Sequence, residues 1–198
     1  MDLSVRRMTG RRVDFIAVMT FGMEDLLLED WELSNAPLVF GDVGPKRPRV
    51  SNIRINYLNG IRQAVQHLAA LRHEQIAFIS GPLALKSAKS RRNAFEKAMR
   101  EIGLEVAKGL VAEGDHALEG GVRAMQSLLS LPERPTAVVC SNDMTALGVM
   151  HKCYEEGPHI PRDLSLVGFD DIGLAQFVLP PLTREVHREH REGGRWLG

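Results

Sequence analysis

The sequence contains little cysteine: Cys140 and Cys153 are the only two among 198 residues. Small secreted domains held together by disulfides use far more, so that class of protein is excluded. The two cysteines fall in different predicted elements, and we expect both to be reduced thiols. Zinc-type spacing is also lacking, because His187 and His190 are accompanied by no second pair of ligands. We therefore predict neither a metal ion nor another cofactor.

Long apolar runs are absent as well, since none approaches the roughly 20 residues that a membrane-spanning helix needs. The apolar stretch Val13–Phe21 follows several arginines but is interrupted by Asp14, and no small-residue cleavage site comes after it. It therefore predicts a buried strand and not a signal peptide. We expect a cytoplasmic protein that makes no contact with a membrane.

An excess of positive charge is also lacking. The 25 lysines and arginines are balanced by 25 aspartates and glutamates, so no overall basic field is available to hold nucleic acid. Local basic clusters exist, but they are not interleaved with aromatic residues and are typical of a solvated surface. Direct binding of DNA by these residues is not expected.

Motifs of common enzymes are missing too. The sequence has no G-x-S-x-G elbow, no Walker loop, no G-x-G-x-x-G fingerprint and no H-E-x-x-H pair. Asp170 and Asp171 are adjacent, whereas paired catalytic carboxylates face each other across a cleft and consecutive residues of a strand end point apart. We predict that the protein is not an enzyme.

What the sequence does contain is a regular alternation of short apolar runs and helical patterns. Strands are predicted at Val13–Met19, Pro37–Phe40, Ile76–Ser80, Leu110–Ala112, Thr136–Cys140 and Leu164–Phe169. Helices are predicted at Met23–Leu33, Asn56–Leu71, Ser87–Ile102, Glu119–Leu131 and from Ser141 to about Glu156, with Lys46–Asn52 as a loop. The apolar runs are continuous, which is typical of strands buried on both faces. The order predicts an α/β fold with a mostly parallel sheet covered by helices.

Polar residues follow the predicted strands, at the edge where such sheets bind ligands. The set comprises Ser87, Arg91, Glu113, Asp115, His116, Ser141, Asn142, Asp143, Asp170 and Asp171. A fork of donors, several carboxylates, an amide and a flat ring together suit a polyol or sugar. Taken singly, Asn142 or Asp143 could equally cap a helix, and Asp170 could equally end a strand. Their convergence favours a binding site.

Four segments carry a more specific signal through their order and spacing. They are His67–Pro82 (HLAALRHEQIAFISGP), Ser141–Gly148 (SNDMTALG), Ile160–Asp171 (IPRDLSLVGFDD) and Pro180–Thr183 (PPLT). They resemble segments of the LacI/GalR family of bacterial transcription regulators, and the likeness runs from about Arg6 to Thr183. The resemblance implies a periplasmic-binding-protein-like fold: two Rossmann-like lobes, each with a parallel sheet, and a small-molecule effector between them. It also implies a homodimer whose operator affinity changes when the effector binds.

The resemblance extends to individual residues of the effector site. Arg91 matches an arginine that precedes the family's aromatic residue by four positions, and Ser87 matches a nearby polar contact. Asn142 matches the asparagine of the SND segment, and Asp170 the first aspartate of the GFDD segment. His116 falls where relatives place a stacking aromatic ring. These five are the expected contacts for a sugar or nucleobase-like effector.

The resemblance also divides the chain into regions. Residues 1–71 are expected to be an incomplete N-terminal lobe, 72–183 the C-terminal lobe, and 184–198 a divergent tail. Arg72 and Phe15 each stand where relatives usually have glycine. The family's helix-turn-helix head has no counterpart in this sequence, so the chain is expected to be truncated at both ends. Operator DNA would then be contacted only through that missing domain.

A second function fits the same fold. A periplasmic sugar-binding protein that serves a transporter would share the lobes and the cleft. The lack of a signal peptide and the LacI-like segments favour the effector-sensing domain of a regulator over this alternative.

Overall fold

The computed structural model describes residues 13–19, 28, 31, 36–42 and 44–184. Within these ranges the strands are β1 (Ile16–Val18), β2 (Leu38–Gly41), β3 (Val50–Ile53), β4 (Ile76–Ser80), β5 (Val111–Glu113), β6 (Ala137–Cys140), β7 (Ser165–Gly168) and β8 (Thr183–Arg184). The α-helices are α1 (Tyr57–Ala70), α2 (Lys86–Glu101), α3 (Leu118–Leu129) and α4 (Asp143–Glu156), and a 3₁₀ turn covers Gly173–Gln176.

The strands form two parallel sheets. The first has the order β1-β2-β3, and the second has the order β5-β4-β6-β7-β8. Every strand pair in both sheets is parallel, for example Ile16 beside Leu38 and Phe78 beside Val111. Parallel strands need crossover connections, and α2, α3 and α4 supply them between the successive strands β4 to β7. Among the described residues that join β2 to β3 there is no helix. The predicted α/β fold with parallel sheets is confirmed.

The second sheet is buried on both faces, which explains the continuous apolar run of β4. Phe78 points to the face covered by α1 and α2 and stacks on Phe95 of α2, with 4.9 Å between ring centroids. Its neighbour Ile79 packs on the opposite face, beneath α3 and α4. Because successive side chains of a strand alternate between faces, the five residues of β4 contribute to the cores on both sides of the sheet.

Helix α1 belongs with this second sheet. Asn56 caps it by accepting a hydrogen bond from the Asn59 amide at 3.1 Å, and Ile61, Val65 and Leu68 are buried on its inner face. The sequence predicts a lobe boundary after residue 71, which would assign this helix to the first lobe. Its buried residues nevertheless pack in the core of the second sheet. We propose that residues 54–56 form the connection between the two lobes.

The prediction of a loop over Lys46–Asn52 is wrong in its second half, where β3 begins. Val50 pairs with Leu38 and Asn52 with Phe40 of the central strand β2. The strand reads VSNI and alternates between half-buried and exposed residues, so it lacks the apolar run by which buried strands are identified. The Asn52 side chain accepts a hydrogen bond from the Gly44 amide at 2.6 Å, which fixes the loop before the strand.

Some predicted elements lie outside the described residues. Of the helix predicted over Met23–Leu33, only Leu28 and Trp31 are described, and both are helical and buried. The tail predicted over 184–198 falls outside the described residues after Arg184.

Candidate ligand site at the edge of the second sheet

Four of the five residues predicted from the sequence meet around one backbone segment, the residues that follow β6. Arg91 donates to the carbonyl of Ser141, and the Ser141 hydroxyl lies 3.3 Å from Nδ1 of His116. Asn142 donates to the carbonyl of His116 at 2.8 Å, and Arg91 lies 3.7 Å from the carboxylate of Asp170. The carboxyl ends of parallel strands bring them together although they are up to 79 positions apart in the sequence.

Ser87, the fifth predicted residue, lies in the first turn of α2 and is buried. It precedes Arg91 by four positions, so both residues lie on the same face of the helix. That face is the one turned toward the strand ends.

The guanidinium of Arg91 is the most constrained group of the site. Its Cζ atom lies 4.6 Å from the ring centroid of Tyr57 and 4.9 Å from that of Phe169. Two aromatic faces and a carbonyl acceptor hold the cation in place, and the side chain is only 11% exposed. Its buried Nε has no hydrogen-bond partner within the described structure. The group is a rigid, oriented donor of the kind that recognises carbonyl or hydroxyl oxygens.

Tyr57 and Asp42 complete the site, although neither was among the predicted contacts. The Tyr57 hydroxyl donates to the Asp42 carboxylate at 2.5 Å, and both residues are buried. Burial, together with this hydrogen bond, raises the pKa of Tyr57 to about 12. Asp42 directly follows β2 of the first sheet, whereas Tyr57 begins α1 on the second. The pair therefore joins the two sheets next to Arg91.

His116 presents a flat ring beside the arginine. Its backbone has a φ of 65°, in the left-handed region, and its imidazole covers Gly81, where any Cβ atom would overlap the ring. Burial, and secondarily the charge of Arg91, lowers the pKa of His116. The neutral ring is thus favoured near pH 7, with one donor and one acceptor nitrogen.

Both polar groups of the Asn142 side chain, the carbonyl oxygen and the NH₂ group, make hydrogen bonds that hold the structure. Its carbonyl oxygen accepts from the Thr145 amide at 3.0 Å, which caps α4, and its NH₂ group donates to the His116 carbonyl. These described contacts leave one N–H and one lone pair of the oxygen for a ligand. A capping role and a place in the site, which the sequence set against each other, coexist in this residue.

Asp143 positions the loop that carries Asp170. The buried carboxylate accepts hydrogen bonds from the amides of Phe169 at 2.7 Å, Asp170 at 3.3 Å and Ile172 at 2.8 Å. Gly168 permits this approach, because a Cβ atom there would overlap the Asp143 carboxylate. The sequence placed Asp143 at the sheet edge but did not identify this positioning role.

Other reactive groups lie away from this edge. Cys140 and Cys153 are buried free thiols, and burial raises the pKa of both, that of Cys153 to about 11. Within the described ranges, no three His, Cys, Asp or Glu side chains gather as metal ligands. Of the helices that the structure describes, none has the length and apolarity to span a bilayer.

Comparison with known proteins identifies the fold and the family. The two parallel sheets form an α/β domain, and the family model and solved structures show that it is of the periplasmic-binding-protein type. The model of the periplasmic binding protein-like domain matches residues 65–197. The chain belongs to this family, and its homologues are LacI-family transcriptional repressors.

The relatives also show how much of the whole protein the chain represents. The HTH-type transcriptional repressor PurR of Glaesserella parasuis serovar 5 (strain SH0165) is 39% identical over 87% of this chain and 51% of its own length. Catabolite control protein A of Priestia megaterium is 33% identical over 92% of this chain and 55% of its own length. The chain thus spans about half the length of these relatives.

Solved structures agree with this family. A complex of the transcriptional regulator CelR with cellobiose superposes with a TM-score of 0.81 at 30% identity, over 91% of this chain and 56% of that one. A lac repressor dimer bound to operator and the anti-inducer ONPF gives 0.79 at 29% identity, over 92% of this chain and 63% of that one. The homologues are repressors, which supports the regulator over the transport protein considered above.

Proposed function

We propose that this chain is the effector-sensing region of a LacI-type transcriptional regulator. Its effector is a small ring-shaped polar molecule, a sugar or a nucleobase-like compound, bound between the two lobes. Operator DNA is contacted by a helix-turn-helix domain outside the region described. The homologues are regulators, and catalysis has no part in the proposal.

The constraint on Arg91 is the observation that supports this function best. A cation held between Tyr57 and Phe169 keeps its orientation without a ligand, so little entropy is lost when a ligand binds. His116 offers a neutral ring face, and the carboxylate of Asp170 accepts from hydroxyls or ring N–H groups. Donor, acceptor and flat ring on one edge match a polar ring compound.

The proposed roles predict the effect of changing Arg91 to glutamine. We expect the affinity for the effector to fall about 10- to 100-fold, because a charge-assisted hydrogen bond is lost. A panel of free sugars and purine bases, screened by the rise in melting temperature, provides the ligand. Isothermal titration calorimetry of the two proteins with that ligand then gives the ratio of affinities.

Arg92 supplies the matched control for this experiment. It is the next residue of α2 and forms an ion pair with Glu96 at 2.8 Å on the outer side of the helix. Arg92→Gln removes the same charge and should leave effector affinity unchanged. Equal affinities of the wild type and Arg91→Gln would contradict the proposed site, and failure to bind any member of the panel would contradict the sensing function.

We also propose that the chain forms a homodimer through the segment Leu174–Leu179. Leu174, Phe177 and Leu179 are 52%, 75% and 90% exposed, an unusual density of large apolar side chains on a surface. The segment is nevertheless fixed, because Ala175 is buried and its carbonyl accepts from the Leu182 amide at 3.2 Å. A rigid exposed apolar surface is typical of an interface between subunits.

Phe177→Asp tests this interface. Sedimentation equilibrium should show a dimer for the wild type and at least about a tenfold weaker dimer for the variant, because a charge would be buried against apolar surface. Tyr154→Asp, which adds the same charge at an exposed aromatic residue of α4 outside this segment, should change the dimer little. An unchanged dimer in Phe177→Asp would place the interface elsewhere on the molecule.

A further inference from the structure

We propose that a cavity at the outer edge of the second sheet binds a neutral aromatic ring that carries one hydrogen-bond donor, a molecule of the class of phenol or indole. This cavity, the edge cavity, lies beside the first residues of β7. Its apolar lining includes Leu68, Leu71, Met150, Ile160, Leu166 and Leu182. None of the residues of the candidate ligand site lines it, so the proposal goes beyond the proposed function and does not depend on it.

The edge cavity exists because β8 covers only half of its neighbour β7. Strand β8 pairs with the last two residues of β7, so among the described residues no strand borders Ser165 and Leu166 on this side. Pro180 and Pro181 come shortly before β8, and a proline has no N–H to donate to a ladder. The strand therefore cannot extend backward along β7, and a gap is left at the edge of the sheet.

The size of the gap suits a single ring. Its volume is about 160 Å³, and a cavity of roughly 150 Å³ lined by aliphatic side chains is large enough to bind benzene. Leu68 of α1 and Leu182 before β8 are buried members of the cores on the two faces of the sheet, so two walls are fixed without a ligand. A rigid ring also loses no internal rotations on binding, whereas an alkyl chain of the same volume does.

The lining favours a neutral molecule. Among the described residues that line the cavity there is no Asp, Glu, Lys or Arg, and His67 is the one side chain that titrates near neutral pH. A charged ligand would lose its hydration without gaining an opposite charge. The apolar walls therefore select against ions and against sugars, whose many hydroxyls would stay without partners.

Ser165 supplies the polar contact. Its hydroxyl oxygen lies 2.8 Å from Nε2 of His73, whose Nδ1 lies 2.9 Å from the Thr136 hydroxyl. Burial, and secondarily the charge of His67, lowers the pKa of His73, so the neutral ring is favoured near pH 7. A hydroxyl has one donor and two lone pairs, and the contact with His73 uses one of these three. In either tautomer of His73 a lone pair of Ser165 remains, and it can accept from a ligand O–H or N–H.

The probe for this site is 4-fluorophenol, followed by ¹⁹F NMR. We expect the wild-type chain to bind it with a dissociation constant of about 1 mM or lower, which is within reach of a ligand with so few atoms. Leu71 is 56% exposed at the rim of the cavity, and Leu71→Asp places a charge in the apolar lining. Affinity should then fall at least about tenfold. Ile53→Asp adds the same charge at an exposed aliphatic residue of β3, outside the cavity, and should bind as the wild type does.

Ser165→Ala tests the chemical class of the ligand. The affinity for 4-fluorophenol should fall about fivefold, as expected for one hydrogen bond, whereas the affinity for fluorobenzene should stay the same because that ring has no donor. Comparing the two probes on one variant separates the hydrogen bond from any change in the shape of the cavity. Equal changes for both probes would show that Ser165 does not bind the donor.

Three other results overturn the proposal. No change in the ¹⁹F signal at about 10 mM probe would show that the cavity admits no ring. Equal loss in Leu71→Asp and Ile53→Asp would indicate an unspecific effect of charge. If Phe177→Asp abolishes binding and Leu71→Asp does not, the ring binds to the exposed segment Leu174–Leu179 instead. The melting temperature of each variant without probe shows whether it is folded.

Discussion

A Gly148→Ala substitution is expected to lower the free energy of unfolding by about 2–3 kcal/mol, although alanine normally stabilises a helix. In an exposed helix interior the same change gains roughly 0.5–1 kcal/mol, because glycine loses more backbone entropy on folding. The sign is reversed here because α3 and α4 touch at this residue. A Cβ atom at Gly148 would overlap the carbonyl oxygen of Leu118 and lie 2.9 Å from the Val122 amide.

The contact between α3 and α4 is made by two glycines, so no side chain can move aside to relieve an overlap. Gly121 of α3 lies opposite Gly148, and a Cβ atom on Gly148 would lie 3.0 Å from its Cα atom. A Cβ atom on Gly121 would in turn overlap the Thr145 carbonyl. The obstructing atoms are backbone, so one helix has to move away and loosen the core that includes Met125 and Val149.

Urea unfolding followed by circular dichroism measures this effect. Gly173→Ala is the matched control, since among the described residues no atom beyond its chain neighbours lies within 4 Å of a Cβ placed there. Its stability should stay within about 0.5 kcal/mol of the wild type. If Gly148→Ala proves as stable as the wild type or more so, helix propensity outweighs the contact, and the close packing of α3 on α4 is refuted.

The fold was predictable where burial is complete. Strands such as β4 and β6 are apolar at nearly every position because helices cover both faces of the second sheet, and this pattern separates them from helices in the sequence. Strand β3 was not predicted from the sequence, for the opposite reason. It lies at an edge of the first sheet, its residues are exposed or half-buried, and only its pairing with β2 makes it a strand.

The sequence predicted where the candidate site lies on the sheet, but only some of the residues that the structure brings together there. Strand ends of a parallel sheet identify the edge, so Arg91, Asn142 and Asp170 could be found from the order of elements. Asp42 obeys the same rule at the end of β2 in the first sheet. It was not selected because no sequence pattern shows that Tyr57 would join it to the second sheet.

The motif residues also have physical tasks that the sequence does not reveal. Asn142 caps α4 and holds His116, Gly148 lets α4 approach α3, and Gly168 makes room for the carboxylate of Asp143. Much of the SND and GFDD likeness therefore reflects packing and hydrogen bonding around the site. A resemblance of this kind indicates the fold more directly than it indicates the contacts of a ligand.

Asp143→Ala is expected to have the largest effect of any single substitution considered, a loss of about 4 kcal/mol in the free energy of unfolding. The carboxylate accepts from three backbone amides of the loop after β7, and its removal leaves those donors without this acceptor in a buried setting. A domain with a total stability of roughly 5–15 kcal/mol would retain only part of it. Effector affinity should fall as well, because the same loop carries Asp170.

Asp143→Asn separates the two roles of this carboxylate. The amide keeps one oxygen acceptor of the same shape but places an NH₂ group against a backbone donor, so we expect a smaller loss of about 2 kcal/mol. Urea unfolding of the two variants gives the order of stabilities, and calorimetry of the folded Asn variant reports whether the loop still binds the effector. Glu105→Ala, which removes an exposed carboxylate, provides a control near wild-type stability. If Asp143→Ala were as stable as that control, the Asp143 carboxylate could not be what holds the loop of Asp170 in place.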